Sequence, residues 1–282
     1  MQIELVKSRE ARQQGAPPRT QQPLELGLAT ELSSTRRQRR AYFAIKRILD
    51  VVMATILLIA FAPIMLVIAI MIRLDSPGPI IFKQERVGAR RKRNNGRDAW
   101  ETGTFTFYKF RSMHEDADQE LHRAFIKAFM EDDDKRMADI QRACKDEIPE
   151  TRDAFTAAFL PEQEQARKLT HDPRVTPVGR VLRKTSLDEV PQLWNVLKGE
   201  MSLVGPRPDL PYSVADYKPW HFKRLNAQPG ITGLWQVDGR SQVSWDDFVR
   251  MDIEYIQNQS LWLDLKIMVK TPLAMLNGKG AA

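Results

Sequence analysis

The sequence predicts an α+β protein, mostly helical, in which a membrane-embedded re-entrant helical hairpin joins a small domain bearing a short β-hairpin and amphipathic helices. Three observations carry this. Val51 to Ile72 is a run of 22 residues without a charge. Two β-type stretches flank a polar turn, and elsewhere apolar residues recur at helical spacing.

The run VVMATILLIAFAPIMLVIAIMI, bounded by Asp50 and Arg73, covers about 33 Å as a helix, close to one hydrocarbon core. Both flanks are basic: Arg36, Arg37, Arg39, Arg40, Lys46 and Arg47 precede it, and Arg73, Lys83, Arg86 and Arg90–Arg93 follow. The positive-inside bias places both flanks in the cytoplasm, which one straight span cannot satisfy. A hairpin over 41–73, broken at Pro63 where an amide donor is missing, can. A single transmembrane anchor is the alternative. Residues 1–40, rich in Gln, Arg, Pro and Ser, read as a flexible basic tail without the apolar segment of a secretory signal.

Residues 74–282 form the remaining domain. Ser76-Pro77-Gly78-Pro79 is a turn, Ile80–Phe82 starts a strand, Arg90–Arg97 turns around Asn95-Gly96, and Thr104–Phe110 alternates as a second strand. The charged segment 114–170 keeps Leu121, Phe125 and Phe129, and then Ile140 and Cys144, at four-residue spacing, a helical insertion. A mostly helical region spans Val178 to Lys198. Trp245–Gln257 and Leu261–Thr271 are amphipathic, the second ended by Pro272; a core helix and an interfacial helix are both open for it.

Composition narrows the chemistry. Forty-three Lys and Arg against 36 Asp and Glu give a net charge of +7 over 282 residues, which calls for an anionic partner. The single cysteine, Cys144, excludes an intrachain disulfide framework and a cysteine zinc site. There is no G-x-G-x-x-G, P-loop, G-x-S-x-G or H-E-x-x-H, so hydride transfer, NTP hydrolysis and zinc hydrolysis are disfavoured.

Two acidic clusters remain. Asp132-Asp133-Asp134 holds an Asp-x-Asp that could bind a cation against a nucleotide sugar, but it sits in a charge run that suits a solvated helix end. The other is Lys184-Thr185-Ser186-Leu187-Asp188-Glu189-Val190-Pro191. Ser186-x-x-Glu189 has capping-box spacing, and acids in a first turn complement the helix dipole. Its neighbours Arg180, Arg183, Lys184 and Arg207 turn the same residues towards phosphate chemistry, since guanidinium forks bind phosphate oxygens and Mg²⁺ takes one or two carboxylates plus substrate phosphates.

These residues belong to a longer ordered pattern. It comprises Lys46-Arg47-x-x-Asp50, Pro63, Ser76-Pro77-Gly78-Pro79, Gln84-x-Arg86-Val87-Gly88, Tyr108–Met113 and Asp172-Pro173-Arg174. It continues through Leu182–Leu193, Gly199–Pro208 and Pro229–Val237. Over about 41–277 the sequence resembles the bacterial sugar transferases, the monotopic phosphoglycosyl transferases that prime polysaccharide and glycoconjugate synthesis.

The resemblance implies a small cytoplasmic catalytic domain at the cytoplasmic face of the bacterial inner membrane. It implies transfer of a sugar-1-phosphate from a UDP-sugar to undecaprenyl phosphate with release of UMP. Asp188 matches the family's nucleophile, which forms a phosphosugar-enzyme intermediate; Glu189 assists, and Mg²⁺ is required, carried by Asp188 with the substrate phosphates. Lys109, Arg183 and Arg207 match phosphate-binding residues, with Pro206, Pro208 and Gln192 in the supporting motifs and Pro63 as the membrane break. Ser241 departs from a frequent asparagine, and Asp252 with Tyr255 matches a frequent Asp-x-x-Tyr best read as a structural hydrogen bond. The expected partners are the two substrates and an anionic cytoplasmic leaflet. Nucleic acid is not expected, because no recognition module is present. A homodimer is open, as is the sugar. The rival is an Asp-x-Asp glycosyltransferase using Asp132 and Asp134 and anchored by one transmembrane helix.

Overall fold

A computed structural model describes residues 22–94, 97–115, 117, 119–146, 169, 172–238 and 243–276. The chain divides between Lys46 and Arg47 into two units; of the first, the structure describes helical backbone from Gln22 and side chains from Arg39. That helix, α1 (Gln22–Asp75), starts inside the stretch expected as a tail. Pro23 sits in its first turn, where a missing amide costs nothing, and good helix formers follow. Helical backbone continues through Pro63, so no separate turn divides the apolar run. Proline removes one hydrogen bond from a long ladder, which permits a bend without ending the helix.

Within Arg47–Asp75, both ends of the apolar run dock on the folded domain. The Arg47 guanidinium donates to the carbonyls of Val196 (2.6 Å) and Leu197 (2.8 Å), and Asp50 accepts from the Leu203 amide at 3.0 Å. Ala54, Leu57 and Leu58 join the main core. At the other end Ile68 and Ile72 pack with Phe110 and Leu182. Arg111 then gathers the last carbonyls, donating to Ser76 O (2.7 Å) and to Pro77 O, groups that a helix end leaves without partners. Between these anchors Ile56, Ile59, Ile64, Leu66, Val67 and Ile70 are exposed.

β1 (Ile81–Asn94) and β2 (Arg97–Phe110) pair antiparallel from Ile81↔Phe110 to Asn94↔Arg97. The hairpin is much longer than expected. Arg90–Lys92, read from sequence as part of a turn, continue the strand as exposed residues, with Lys92 paired to Glu101 at 2.6 Å. Alternation explains the rest: Val87, Ala89, Phe105 and Phe107 face inward while Lys83, Glu85, Thr104 and Thr106 face out. The Asn95-Gly96 turn itself lies outside the described residues.

The insertion forms α2 (Glu120–Met130) and α3 (Asp134–Asp146), closed on each other by Phe125, Ala128, Met137 and Ile140. Its remainder to 168 lies outside the described residues. α4 (Pro177–Thr185), a 3-10 turn (Leu187–Glu189) and α5 (Gln192–Lys198) make up the mostly helical region expected. β3 (Ser202–Val204) and β4 (Gly230–Thr232), with α6 (Pro211–Ala215) in the connection between them, pair in parallel, followed by α7 (Leu234–Asp238), α8 (Trp245–Gln257) and α9 (Leu261–Leu276). α9 runs past Pro272, where the sequence predicted its end; as at Pro63, one lost bond does not stop a helix packed through Ile267 and Ala274.

Phe105, Phe107, Leu193, Val196, Met201, Val204, Tyr255 and Ile267 make the main core. Tyr255 donates its hydroxyl to Asp264 at 2.7 Å, and Asp252 accepts two bonds from Arg224 at 2.9 and 2.7 Å, so the Asp-x-x-Tyr pair is structural. β4 lies so close to the chain after β3 that a Cβ at Gly230 would stand 2.1 Å from the Gly205 nitrogen. Gly230→Ala is therefore expected to destabilise the protein by about 3 kcal/mol, seen as a lower thermal midpoint; an unchanged midpoint would contradict this contact.

Candidate active site

α4 begins on Thr176, whose hydroxyl accepts from the Gly179 amide at 3.0 Å, with Pro177 at the first position. Gly179 lets the helix lie on β2's exit: a Cβ there would stand 2.0 Å from Ser112 O. α4 ends at Ser186, whose φ of 55° is left-handed. This reversal feeds the 3-10 turn and turns Asp188 inward, where it is 7% exposed.

The capping box does not form. Neither Ser186 nor the residue preceding α5 makes a side-chain cap. Glu189 instead takes a two-pronged pair from Arg207, at 2.5 and 3.2 Å. A buried carboxylate gains more from a guanidinium fork than from one amide. Gln192, fully buried, directs its amide towards Glu189 without closing a hydrogen bond of regular geometry.

Arg207 stands on the strand–turn Pro206-Arg207-Pro208. Pro206 O accepts from the Gly230 amide at 2.9 Å, and Arg207 O accepts from Arg224 at 3.0 Å. Lys109 comes from the end of β2, which Asn195 on α5 holds by accepting from Tyr108 N (3.2 Å) and donating to Thr106 O (2.7 Å). Arg183 comes from the last turn of α4. All five predicted site residues thus converge. The Lys109 and Arg183 side chains make no hydrogen bond or ion pair among the described residues, and Asp188 accepts none from them.

The charges divide unequally. Burial, then the charge of Glu189, pushes the Asp188 carboxyl up to about 6 against the pull of Lys109, Arg183 and Arg207. Burial also acts on Glu189, but the charge and hydrogen bonds of Arg207 outweigh it and hold that carboxyl below its usual range. Burial and the Arg183 charge bring the Lys109 ammonium down to about 8. Two adjacent carboxylates therefore differ in role: Glu189 is locked as an ion pair, and Asp188 is available.

Beside them lies a basic cavity of about 180 Å³ whose lining includes Arg86, Lys109, His122, Arg174, Arg183 and Tyr212. The sequence reading did not single out Arg86 or Arg174 as site residues, although both stand in the quoted motifs. His122 and Tyr212 carried no signal. Burial and the neighbouring Arg207 bring Arg86 down to about 10, and its Nε has no partner. Arg174 is held in a fork by Asp172, at 2.8 and 2.7 Å.

Among the described residues no three His, Cys, Asp or Glu side chains converge as metal ligands. Asp188, with both oxygens unengaged, fits a divalent cation that takes its other ligands from substrate phosphates and water. The Asp-x-Asp lies elsewhere: Asp132, at φ 58°, is in the turn between α2 and α3, and Asp133 accepts from the Arg136 amide at 2.9 Å. Asp132 lines a different cavity with Lys127, His221 and Asp246.

A buried carboxylate without a hydrogen bond among the described residues, close to Lys109, Arg183 and Arg207, is a charge arrangement suited to phosphate groups. The chain belongs to the bacterial sugar transferase family, whose profile matches residues 41–278, and it is a transferase. It is 35% identical over 271 residues to the UDP-glucose:undecaprenyl-phosphate glucose-1-phosphate transferase of Caulobacter vibrioides, covering 92% of this chain and 81% of that protein. It is 36% identical to the exopolysaccharide production protein ExoY of Rhizobium meliloti, over 84% and 87% of the two chains. It is 39% identical to the galactosyl transferase CpsE of Streptococcus agalactiae over 84% of this chain, which spans 43% of the length of CpsE.

The raised Asp188 carboxyl has a signed consequence. The folded state holds that proton more tightly than the unfolded chain, so ionising it costs stability as pH rises from about 4 to about 6. With divalent metal chelated, Asp188→Asn is expected to melt above wild type at pH 7.5 and to converge with it at pH 4. Equal melting temperatures at both values would contradict the assignment.

Proposed function

We propose that the chain transfers a sugar-1-phosphate from a UDP-sugar to undecaprenyl phosphate, releasing UMP, as the first step of polysaccharide or glycoconjugate assembly. The observation that carries this is Asp188: buried, without a hydrogen bond among the described residues, and faced by Lys109 and Arg183, which form no ion pair among those residues. An Asp188 oxygen attacks the β-phosphorus of the donor. The bond from that phosphorus to the oxygen bridging it to the α-phosphate breaks, and UMP leaves with the electron pair. A phosphate oxygen of undecaprenyl phosphate then attacks the phosphosugar-aspartate, restoring Asp188 and forming the diphosphate product. Splitting the transfer lets two bulky substrates use one site in turn. Lys109, Arg183 and Arg207 offset the negative charge that nucleophile and phosphates bring together. Glu189 orients Arg207. Mg²⁺, held by Asp188 and substrate phosphates, would supply further neutralisation of the diphosphate.

The relatives' names support the substrates: one specifies UDP-glucose and undecaprenyl phosphate, another a galactosyl transferase. Because those names differ in sugar, the sugar here is left to assay.

The same reading places the site at the cytoplasmic face of the bacterial inner membrane. The most apolar part of α1 has a mean hydropathy of 2.9. Its two ends dock on one folded domain, which supports a segment that dips into one leaflet and returns, bending at Pro63. α9 supports an interfacial role, since Trp262, Leu265, Val269 and Leu273 form an exposed apolar stripe at spacings of three and four, with Lys266 over the Trp262 ring. The exposed Arg90–Lys92 suit an anionic leaflet.

UMP release from a panel of UDP-sugars, with Mg²⁺ and polyprenyl phosphate, tests the reaction. Asp188→Asn is expected to lower turnover by about 10³-fold or more and to abolish labelling of the protein by donor ³²P-labelled at the β-phosphate. Arg207→Lys is expected to cost about 10²-fold, and Asp132→Ala to leave activity intact; loss with Asp132→Ala and retention with Asp188→Asn would favour the Asp-x-Asp reading. Topology is read by labelling Arg39→Cys and Leu74→Cys in a Cys144→Ala background. Both cysteines are expected on the cytoplasmic side, and opposite sides would establish a full span.

A further inference from the structure

The inserted helix α2 reaches the basic cavity beside Asp188. Lys109 and Arg183 face two ways: their charges act on Asp188, and they line the cavity, whose lining does not include Asp188. A phosphorus held between them has the nucleophile on one side and the cavity on the other. In-line displacement sends the leaving group opposite the attacking oxygen, so UMP departs into the cavity, while the sugar, on an equatorial oxygen, lies off that line. Arg86 lines the same cavity and would stand near the departing α-phosphate.

Beyond Arg86 the wall changes character. His122 of α2 and Tyr212 of α6 share a hydrogen bond of 2.7 Å between Nδ1 and the phenol oxygen. Tyr212 is fixed from outside by the Arg123 guanidinium, 5.6 Å from its ring centre. Burial, reinforced by Arg86, Arg174, Arg183 and Lys109, brings the His122 imidazole down to about 3. It is neutral at working pH, with one nitrogen a donor and the other an acceptor. A neutral imidazole and a phenol suit uncharged donor–acceptor groups, such as an imide or ribose hydroxyls, rather than phosphate.

We propose that His122 and Tyr212 form the subsite that binds the uridine half of the donor, which makes the inserted helix α2 part of the substrate site. The inference rests on the transfer reaction given above.

The test is UMP binding to the full chain in detergent with Mg²⁺, with pyrophosphate as a probe lacking the nucleoside. Tyr212→Phe and His122→Phe are expected to weaken UMP by about tenfold and leave pyrophosphate binding unchanged. Both should raise the donor KM more than they lower kcat, with the KM for polyprenyl phosphate unmoved. His122→Gln, which keeps an amide on that wall, is expected to retain more UMP affinity than His122→Phe. Tyr212→Phe loses only a hydroxyl, so its melting temperature reports whether the fold is kept if His122→Phe unfolds. Unchanged UMP affinity in folded Tyr212→Phe overturns the subsite, as does a parallel loss of pyrophosphate binding. If wild type releases UMP from a UDP-sugar while these variants bind it normally, this inference alone falls. If wild type neither binds nor releases UMP, the transfer reading falls with it.

Discussion

The pair between Glu189 and Arg207 is the constraint on which the site depends. Arg207 is held at both ends, its guanidinium by Glu189 and its backbone carbonyl by Arg224. Arg224 is itself buried and donates to Asp252 and Asp209, so the second half of the domain reaches the catalytic turn through one side chain. Removing either partner of such a pair leaves a charge without compensation in a dry environment, which is far costlier than losing an exposed salt bridge. The pair also divides the labour of two adjacent acids. Once Glu189 is committed to Arg207, Asp188 keeps its oxygens without a hydrogen bond among the described residues, close to Lys109 and Arg183.

Excess positive charge at the site follows the same logic. Lys109, Arg183 and Arg86, each partly buried, gather with too few carboxylates to offset them, and two show it in lowered proton affinity. Such a cluster is tolerable if an anion completes it. In the proposed reaction a diphosphate would bring that charge to the cavity beside Asp188.

The apolar run works by a different principle. Its exposed face is incompatible with water over many residues, yet Arg47, Asp50 and Ala54 at one end and Ile68 and Ile72 at the other are bound into the same core. Attachment at two points fixes the turn that carries Asp188 at a set distance from the apolar surface, as the proposed transfer to a lipid phosphate requires.

Much of this was legible in the chain. Twenty-two uncharged residues between basic flanks announce a membrane segment, because length and hydropathy are local properties. α8 has the bounds its periodicity implies, and Asp188 with Glu189 stands out from its basic company. The misread elements share a cause. Ser186-x-x-Glu189 has the spacing of a capping box, but Arg207, eighteen residues on, outcompetes a single backbone amide. Pro272 looks like a helix end, but packing through Ile267 and Ala274 outweighs one lost hydrogen bond there. Arg90–Lys92 look like a turn until pairing extends the strand. The sequence alone determined the long apolar segment, most of the helical and strand periods and the candidate pair Asp188-Glu189, because these follow from composition, period and motif. Only the tertiary structure decided which acid is paired and which is left unengaged, and that His122 and Tyr212 close the basic cavity. Those outcomes depend on contacts between residues distant in the chain, where burial and charge are set by the whole fold rather than by neighbours.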